Sequence, residues 1–399
     1  MFRRWLESFE QFAIDVILER RYGKRAAILR WLLYSLSWIF RCIVQTRLWL
    51  YRKRLLRDRT AGCLVISIGN LTVGGTGKTP VVELFARTLR DRGRNVAILS
   101  RGYKSRKPPL MRRLQRKWLG MVRNEPRLVH DGKDLLLNSS FAGDEPYMLA
   151  RSLGNVVVLV HKDRVRSALF AVRKFGTDTI LLDDGMQYLR LKHRIDVCLV
   201  DCQAPFGNEF LLPRGTLREP PSNLRRAHYI FLTKSVAGRN GPLIERIREH
   251  NRTAEIIECT HRGLYLQNLY QKDDRQPLEF LTGKFIGALS GIAQPESFEN
   301  KLRDLGAELP LTKRFADHHR FTDSELHDFL KRCAHLELDL VVTTEKDSVR
   351  FPHAPPNLPV PIYFLRVEIE ILSGHESWAR LIERVCAPAN GVTPESIFA

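Results

Sequence analysis

Short apolar runs recur along this chain at residues 64–68, 95–100, 156–160, 179–182, 197–201 and 228–233. Runs of that length, bounded by polar or turn-forming residues, predict buried β-strands. After residue 78 the spacing changes, because Val82, Phe85, Ala86 and Leu89 recur three and four positions apart, which predicts a helix. A shorter helix is expected from Gly143-Asp144-Glu145-Pro146 through Ala150. From residue 254 the texture shifts again. Residues 254–269 and 277–289 read as extended segments around the polar Lys272-Asp273-Asp274-Arg275. Helices over 295–306, 323–333 and 376–385 and strands over 339–343 and 359–365 follow. Strands alternating with helices predict an α/β protein in both halves.

The first 60 residues have a different pattern. They hold 14 basic and 5 acidic side chains together with Trp5, Trp31, Trp38 and Trp49. The uncharged run 31–40 is half the length that a membrane-spanning helix needs. On a helical wheel Trp31, Trp38 and Trp49 fall on nearly one line, with Arg30 and Arg41 about a quarter-turn away. Such a helix either packs on a core or lies in the headgroup layer of a membrane. Arg52, Lys53, Arg54, Arg57 and Arg59 favour an anionic lipid surface. No small-residue cleavage site follows, which argues against a secretory leader.

Length and charge narrow the picture further. A chain of 399 residues exceeds the usual single core, so two domains are expected. The formal charge of +20 calls for an anionic partner: nucleic acid, anionic lipid or a phosphorylated substrate. Seven scattered cysteines without a CxxC pair point to a reducing compartment and away from zinc.

Candidate chemistry centres on residues 67–80, Ser-Ile-Gly-Asn-Leu-Thr-Val-Gly-Gly-Thr-Gly-Lys-Thr-Pro, between the first predicted strand and the first predicted helix. Strand, glycine-rich turn and helix form a phosphate cradle: backbone N–H groups face the phosphates, Lys78 supplies a cation, and the Thr79 hydroxyl suits a magnesium ion. Thr72 stands where the strict P-loop pattern has its first glycine, with Gly74 and Gly75 inside the turn. Thr72, Val73, Gly74, Gly75, Thr76, Gly77, Lys78 and Thr79 are therefore expected to hold a nucleoside triphosphate. The strand 179–182 runs into Asp183-Asp184-Gly185, and a strand ending in Asp suits the magnesium shell of such an enzyme as well as a plain turn. Asp144 and Glu145 before Pro146 equally suit a helix N-terminus.

Several motifs then fall in one order: the loop just described, Ser100-Arg101-Gly102-Tyr103, Gly143-Asp144-Glu145-Pro146, Leu182-Asp183-Asp184-Gly185, Leu212-Pro-Arg-Gly-Thr-Leu-Arg-Glu-Pro220, Gly291-Ile-Ala-Gln-Pro-Glu-Ser-Phe298, Asp317-His318-His319 and Thr343-Thr-Glu-Lys-Asp347. Together, over residues 64–351, the chain resembles the tetraacyldisaccharide 4'-kinases of lipid A biosynthesis. The resemblance implies ATP- and magnesium-dependent phosphorylation of the 4'-hydroxyl of a tetraacylated glucosamine disaccharide 1-phosphate. It implies a P-loop NTPase-like core domain over 61–253, a β-ribbon linker over 254–285 and a smaller α/β domain over 286–399, behind an N-terminal membrane-surface helix in 1–60. Lys78 and Thr79 would bind phosphate and magnesium, with Asp183, Asp184 and Glu145 as further metal candidates and Gln187 at the nucleotide. Asp144 would act as catalytic base, hydrogen-bonded to His318, while Arg101, Asp317, Arg218 and Glu219 would meet the substrate. The expected location is the cytoplasmic face of the bacterial inner membrane, with no nucleic-acid partner. Met186 and Tyr188 stand where the family has Phe and His. A membrane-associated GTPase is a rival reading, weakened because Ser235, Val236 and Ala237 follow Thr233-Lys234 without the expected Asp. A basic nucleic-acid-binding module is another, though strand-end aspartates would repel a phosphate backbone.

Overall fold

A computed structural model describes residues 11–102, 125–352 and 358–387. The basic segment 104–117 lies outside the described residues. In chain order the main elements are α1 (Lys24–Arg52), β1 (Leu64–Asn70), α2 (Lys78–Asp91), β2 (Val96–Ser100), β3 (Arg127–Asp131), α3 (Ser139–Ala142), α4 (Asp144–Ser152), β4 (Val157–Val160), α5 (Arg164–Phe175), β5 (Thr179–Asp183), β6 (Ile195–Asp201) and β7 (Tyr229–Thr233). They continue with α6 (Gly241–His250), β8 (Glu255–Asn268), β9 (Arg275–Gln276), β10 (Phe285–Ser290), α7 (Pro295–Asp304), β11 (Glu308–Arg314), α8 (Asp323–His335), β12 (Leu340–Thr344), α9 (Glu345–Ser348), β13 (Ile362–Ser373) and α10 (His375–Cys386). The fold is α/β with mixed strand pairing. The chain divides into two compact units, each built from non-contiguous segments: 1–78, 178–260 and 371–399 in one, 79–177 and 261–370 in the other.

In the first unit the strands run in the order β5-β1-β6-β7, all parallel, and the start of β8 adds to β7. Parallel strands buried on both faces explain the near-continuous apolar runs that made them legible. Leu71, Met186, Val200, Phe206, Leu217 and Ile230 form part of one core cluster. Ile68 pairs with both Asp183 and Val197, so the strand-end aspartate is level with the last turns of β1 before the glycine loop.

Helix α1 extends well beyond the uncharged run, to 29 residues, about 44 Å at 1.5 Å per residue. By length and composition it could cross a membrane, and little of its apolar stretch is buried. Trp31, Trp38 and Trp49 are all exposed. A narrow face docks on the first unit. Ser37 Oγ donates to the Leu211 carbonyl at 2.7 Å and accepts from the Arg214 N–H at 3.0 Å, and Tyr34 meets Phe210 edge-on.

In the second unit β2 and β4 are parallel, β3 is antiparallel on β4, and β11-β10-β12-β13 form a parallel ladder. Two core clusters lie on the faces of that ladder, one around Leu302, Ile286 and Val342, the other around Phe329, Leu289 and Val341. Residues 277–289 are not extended throughout. Pro277 precedes a single 3-10 turn, Leu278–Leu281, and β10 starts only at Phe285. Strand β11 carries no apolar run because it ends its ladder and leaves most side chains exposed. Strand β13 runs on to Ser373, past the apolar stretch, because the charges of Arg366 and Glu368 are paired.

Candidate active site

The turn between β1 and α2 is held from outside. Val73 N–H donates to the Thr216 carbonyl at 2.7 Å, Arg218 N–H to the Leu71 carbonyl at 2.7 Å, and the Thr233 hydroxyl to the Thr76 carbonyl at 3.0 Å. Gly74 and Gly77 have φ of 126° and 75°, values that side-chain-bearing residues rarely adopt, and they let the chain reverse into the helix. The segment 212–220 is the brace of this turn, with Arg214, Leu217 and Glu219 buried.

Lys78 Nζ donates to Asn70 Oδ1 at 3.1 Å and lies 3.6 Å from Asp184 Oδ1. Arg218 Nη1 donates to both oxygens of Asp184, at 2.8 and 2.7 Å. Asp184 has φ 56°, so the backbone turns into the left-handed region immediately after β5. Asp183 is buried at the strand end. Gln187 donates to the Asn70 carbonyl at 3.0 Å and to Glu219 Oε1 at 3.1 Å. Glu219, 2% exposed, also accepts from Arg226 at 2.6 Å and Asn223 at 2.8 Å. Its carboxylate is thus engaged within the protein by Gln187, Asn223 and Arg226. The first unit therefore joins Lys78, Asp184, Arg218, Gln187 and Glu219 in one polar network, and it adds Asn70, which sequence reasoning passed over. The signal was present, since Asn70 follows Gly69 at the end of the strand leading into the loop.

Asp183 and Asp184 offer only oxygen donors, and among the described residues no group of three or more His, Cys, Asp or Glu side chains gathers as a metal site. Few protein oxygens, with the remaining positions left to phosphate and water, is how magnesium is usually held.

In the second unit Asp144 opens α4 and is 8% exposed. His318 Nδ1 lies 3.1 Å from Asp144 Oδ2, as the resemblance implies. Around them stand two arginines that sequence reasoning missed. Arg350 Nε donates to Oδ2 at 2.8 Å, and Arg320 Nη2 donates to Oδ1 at 3.2 Å. Burial by itself would raise the Asp144 pKa. The hydrogen bond from His318 and the charges of Arg350 and Arg320 outweigh it and hold the carboxyl below its ordinary value. His318 Nδ1 also faces Arg350 Nη2 at 3.1 Å, so a proton there satisfies the carboxylate and opposes the guanidinium. His318 has φ 68° and its N–H donates to the Gly291 carbonyl at 3.2 Å. Asp317 pairs with Lys346 at 3.3 Å and lies 3.8 Å from His318 Nε2. Glu145 is half-buried in the first turn of α4, and Arg101 is exposed just after β2.

The chain matches the family described as tetraacyldisaccharide-1-P 4'-kinase over residues 29–387. It is 42% identical over 340 residues to a tetraacyldisaccharide 4'-kinase of Anaeromyxobacter dehalogenans, covering 84% of this chain and 85% of that one. A protein of the same description from Halothermothrix orenii is 33% identical over 356 residues, covering 86% and 89%. A crystal structure of LpxK from Aquifex aeolicus in complex with ATP superposes with a TM-score of 0.69 at 27% identity, covering 90% of this chain and 99% of that one.

Proposed function

Since the chain belongs to the tetraacyldisaccharide 4'-kinase family and is an ATP-dependent kinase of a lipid A disaccharide, we propose that residues 72–79 are a P-loop for ATP and that Asp144 is the base. The observation that carries the nucleotide assignment is the glycine turn delivering Lys78 beside Asp184 at the end of β5. Phosphoryl transfer passes through a loose transition state, so the residues act mainly by positioning and by absorbing charge. The loop N–H groups and Lys78 bind the phosphates and neutralise charge on the transferring and leaving oxygens. Arg218 holds Asp184 in place and is itself within reach of an incoming anion. Asp183, Asp184, the Thr79 hydroxyl and Glu145 are the magnesium candidates, and the ion, when bound, supplies electrostatic stabilisation of the phosphate oxygens.

Asp144 takes the proton of the 4'-hydroxyl. A carboxylate held below its ordinary pKa serves because that proton leaves late, and His318 orients it and shares the proton. Arg101 and Asp317 are the candidates for acceptor contact. The exposed tryptophans and basic end of α1 anchor the enzyme at an anionic membrane, on the cytoplasmic side where ATP is present.

Incubation of the purified chain with ATP, magnesium and the tetraacylated disaccharide 1-phosphate, followed by mass analysis, tests the reading: one phosphoryl group is gained. Lys78→Ala and Asp144→Ala each lose most turnover while sedimentation with anionic vesicles persists. Near-normal kinase activity in Asp144→Ala would remove the base assignment.

A further inference from the structure

Two motifs of the sequence, 291–298 and 343–347, take no part in the chemistry assigned above, yet their ends meet around one guanidinium. Arg350 is 2% exposed and has no sequence signature of its own. Besides donating to Asp144 Oδ2 and facing His318 Nδ1, it donates through Nη1 to Asp347 Oδ1 at 2.8 Å and to the Gly291 carbonyl at 3.0 Å. Asp347 is fully buried, and its other oxygen accepts from Gly291 N–H at 3.0 Å and from the Thr344 hydroxyl at 2.7 Å. The Gly291 carbonyl that receives Arg350 also receives the His318 N–H, at the residue with the left-handed backbone. A Cβ at position 291 would stand 3.3 Å from Asp347 Oδ1 and 3.4 Å from the Ala316 carbonyl, so the close approach suits glycine.

We propose that Arg350, anchored by Asp347 and Gly291, is the positioning residue that fixes Asp144 and His318 relative to each other for phosphoryl transfer. The proposal rests on the reading of Asp144 as base. Arginine is required because a planar fork of N–H donors reaches a carboxylate, a second carboxylate and a carbonyl in fixed directions while its remaining Nη lies against the imidazole. A lysine keeps the charge and loses the fork. The 343–347 motif builds the carboxylate that aims the guanidinium, and Gly291 ties the same group to the backbone of His318. This gives both motifs a task that neither nucleotide nor acceptor contact supplies.

The test compares Arg350→Lys, Asp347→Asn, Asp144→Asn and the double variant Arg350→Lys/Asp144→Asn by kcat, by KM for ATP and for the lipid acceptor, and by thermal midpoint. Arg350→Lys is expected to lose on the order of 10²-fold in kcat, the scale of a misplaced reacting group, with KM for ATP unchanged. Asp347→Asn keeps the shape and one acceptor, and is expected to lose kcat less severely with the same split. In the Asp144→Asn background Arg350→Lys costs nothing further, because its effect runs through Asp144. Wild-type kcat in folded Arg350→Lys and Asp347→Asn, or the same fold-loss repeated in the Asp144→Asn background, overturns this proposal alone. Turnover retained in Asp144→Asn itself sinks the base assignment and this proposal with it.

Discussion

Replacing Arg366 by methionine removes the cation at the centre of a buried cluster. Its guanidinium donates to Glu83 and Glu345, lies 3.6 Å from Glu368, and donates to the Ser152 hydroxyl at 3.3 Å. Glu83 belongs to α2, the helix that starts at Lys78, so β13 holds the back of that helix through this contact. Glu83 keeps a second partner, Arg87 at 2.7 Å, whereas Glu345 loses its principal one. Breaking a buried ion pair from one side costs about 3–5 kcal/mol, and the remaining Arg87 contact puts the expected loss near the lower end, about 3 kcal/mol at pH 8. The loss depends on pH. Burial already raises the Glu345 pKa, against the opposing charge of Arg366. Without the arginine it rises further. A folded-state pKa above the unfolded value contributes stability at low pH that is lost as pH rises through the folded pKa, so the variant recovers on acidification. Urea unfolding followed by circular dichroism at pH 8 and pH 5.5, with the Glu345→Gln/Arg366→Met double variant as rescue, reads the effect. A loss below about 1 kcal/mol at pH 8, or one equal at both pH values, refutes the reasoning.

Helix α8 begins with a reciprocal cap in which Thr322 Oγ1 accepts from Glu325 N–H and the Glu325 carboxylate accepts from Thr322 N–H. Thr322→Ala is expected to cost about 1 kcal/mol of stability in equilibrium unfolding. The hydrogen bond from His319, followed by those from Thr322, pulls the Glu325 pKa down to about 2, so its stabilisation is present above the ordinary carboxyl range and disappears as pH falls towards 2. An acid-unfolding curve of Glu325→Gln should lack that component. Ser37→Ala leaves the Arg214 N–H without its hydroxyl acceptor, at a cost of about 1–3 kcal/mol, and limited proteolysis should release α1 faster than in the parent chain. Unchanged protection would show that the apolar contacts of α1 hold it unaided.

The buried parallel strands, the helix after the glycine loop and the acidic end of β5 were legible in the sequence, because burial on both faces writes a continuous apolar run and a sharp strand-to-helix turn demands glycine. The resemblance also carried the pairing of Asp144 with His318, 174 positions apart. Only the tertiary structure supplied the rest. Strand β11 has no apolar run because an end strand needs none, and nothing in the polar composition of 212–220 marks Arg214, Leu217 and Glu219 as the buried brace of the glycine turn. Arg350 and Arg320 carry no periodicity or motif. Their importance comes from which long-range neighbours share a desolvated space, where an unpaired charge is too costly to persist and every donor must find its acceptor.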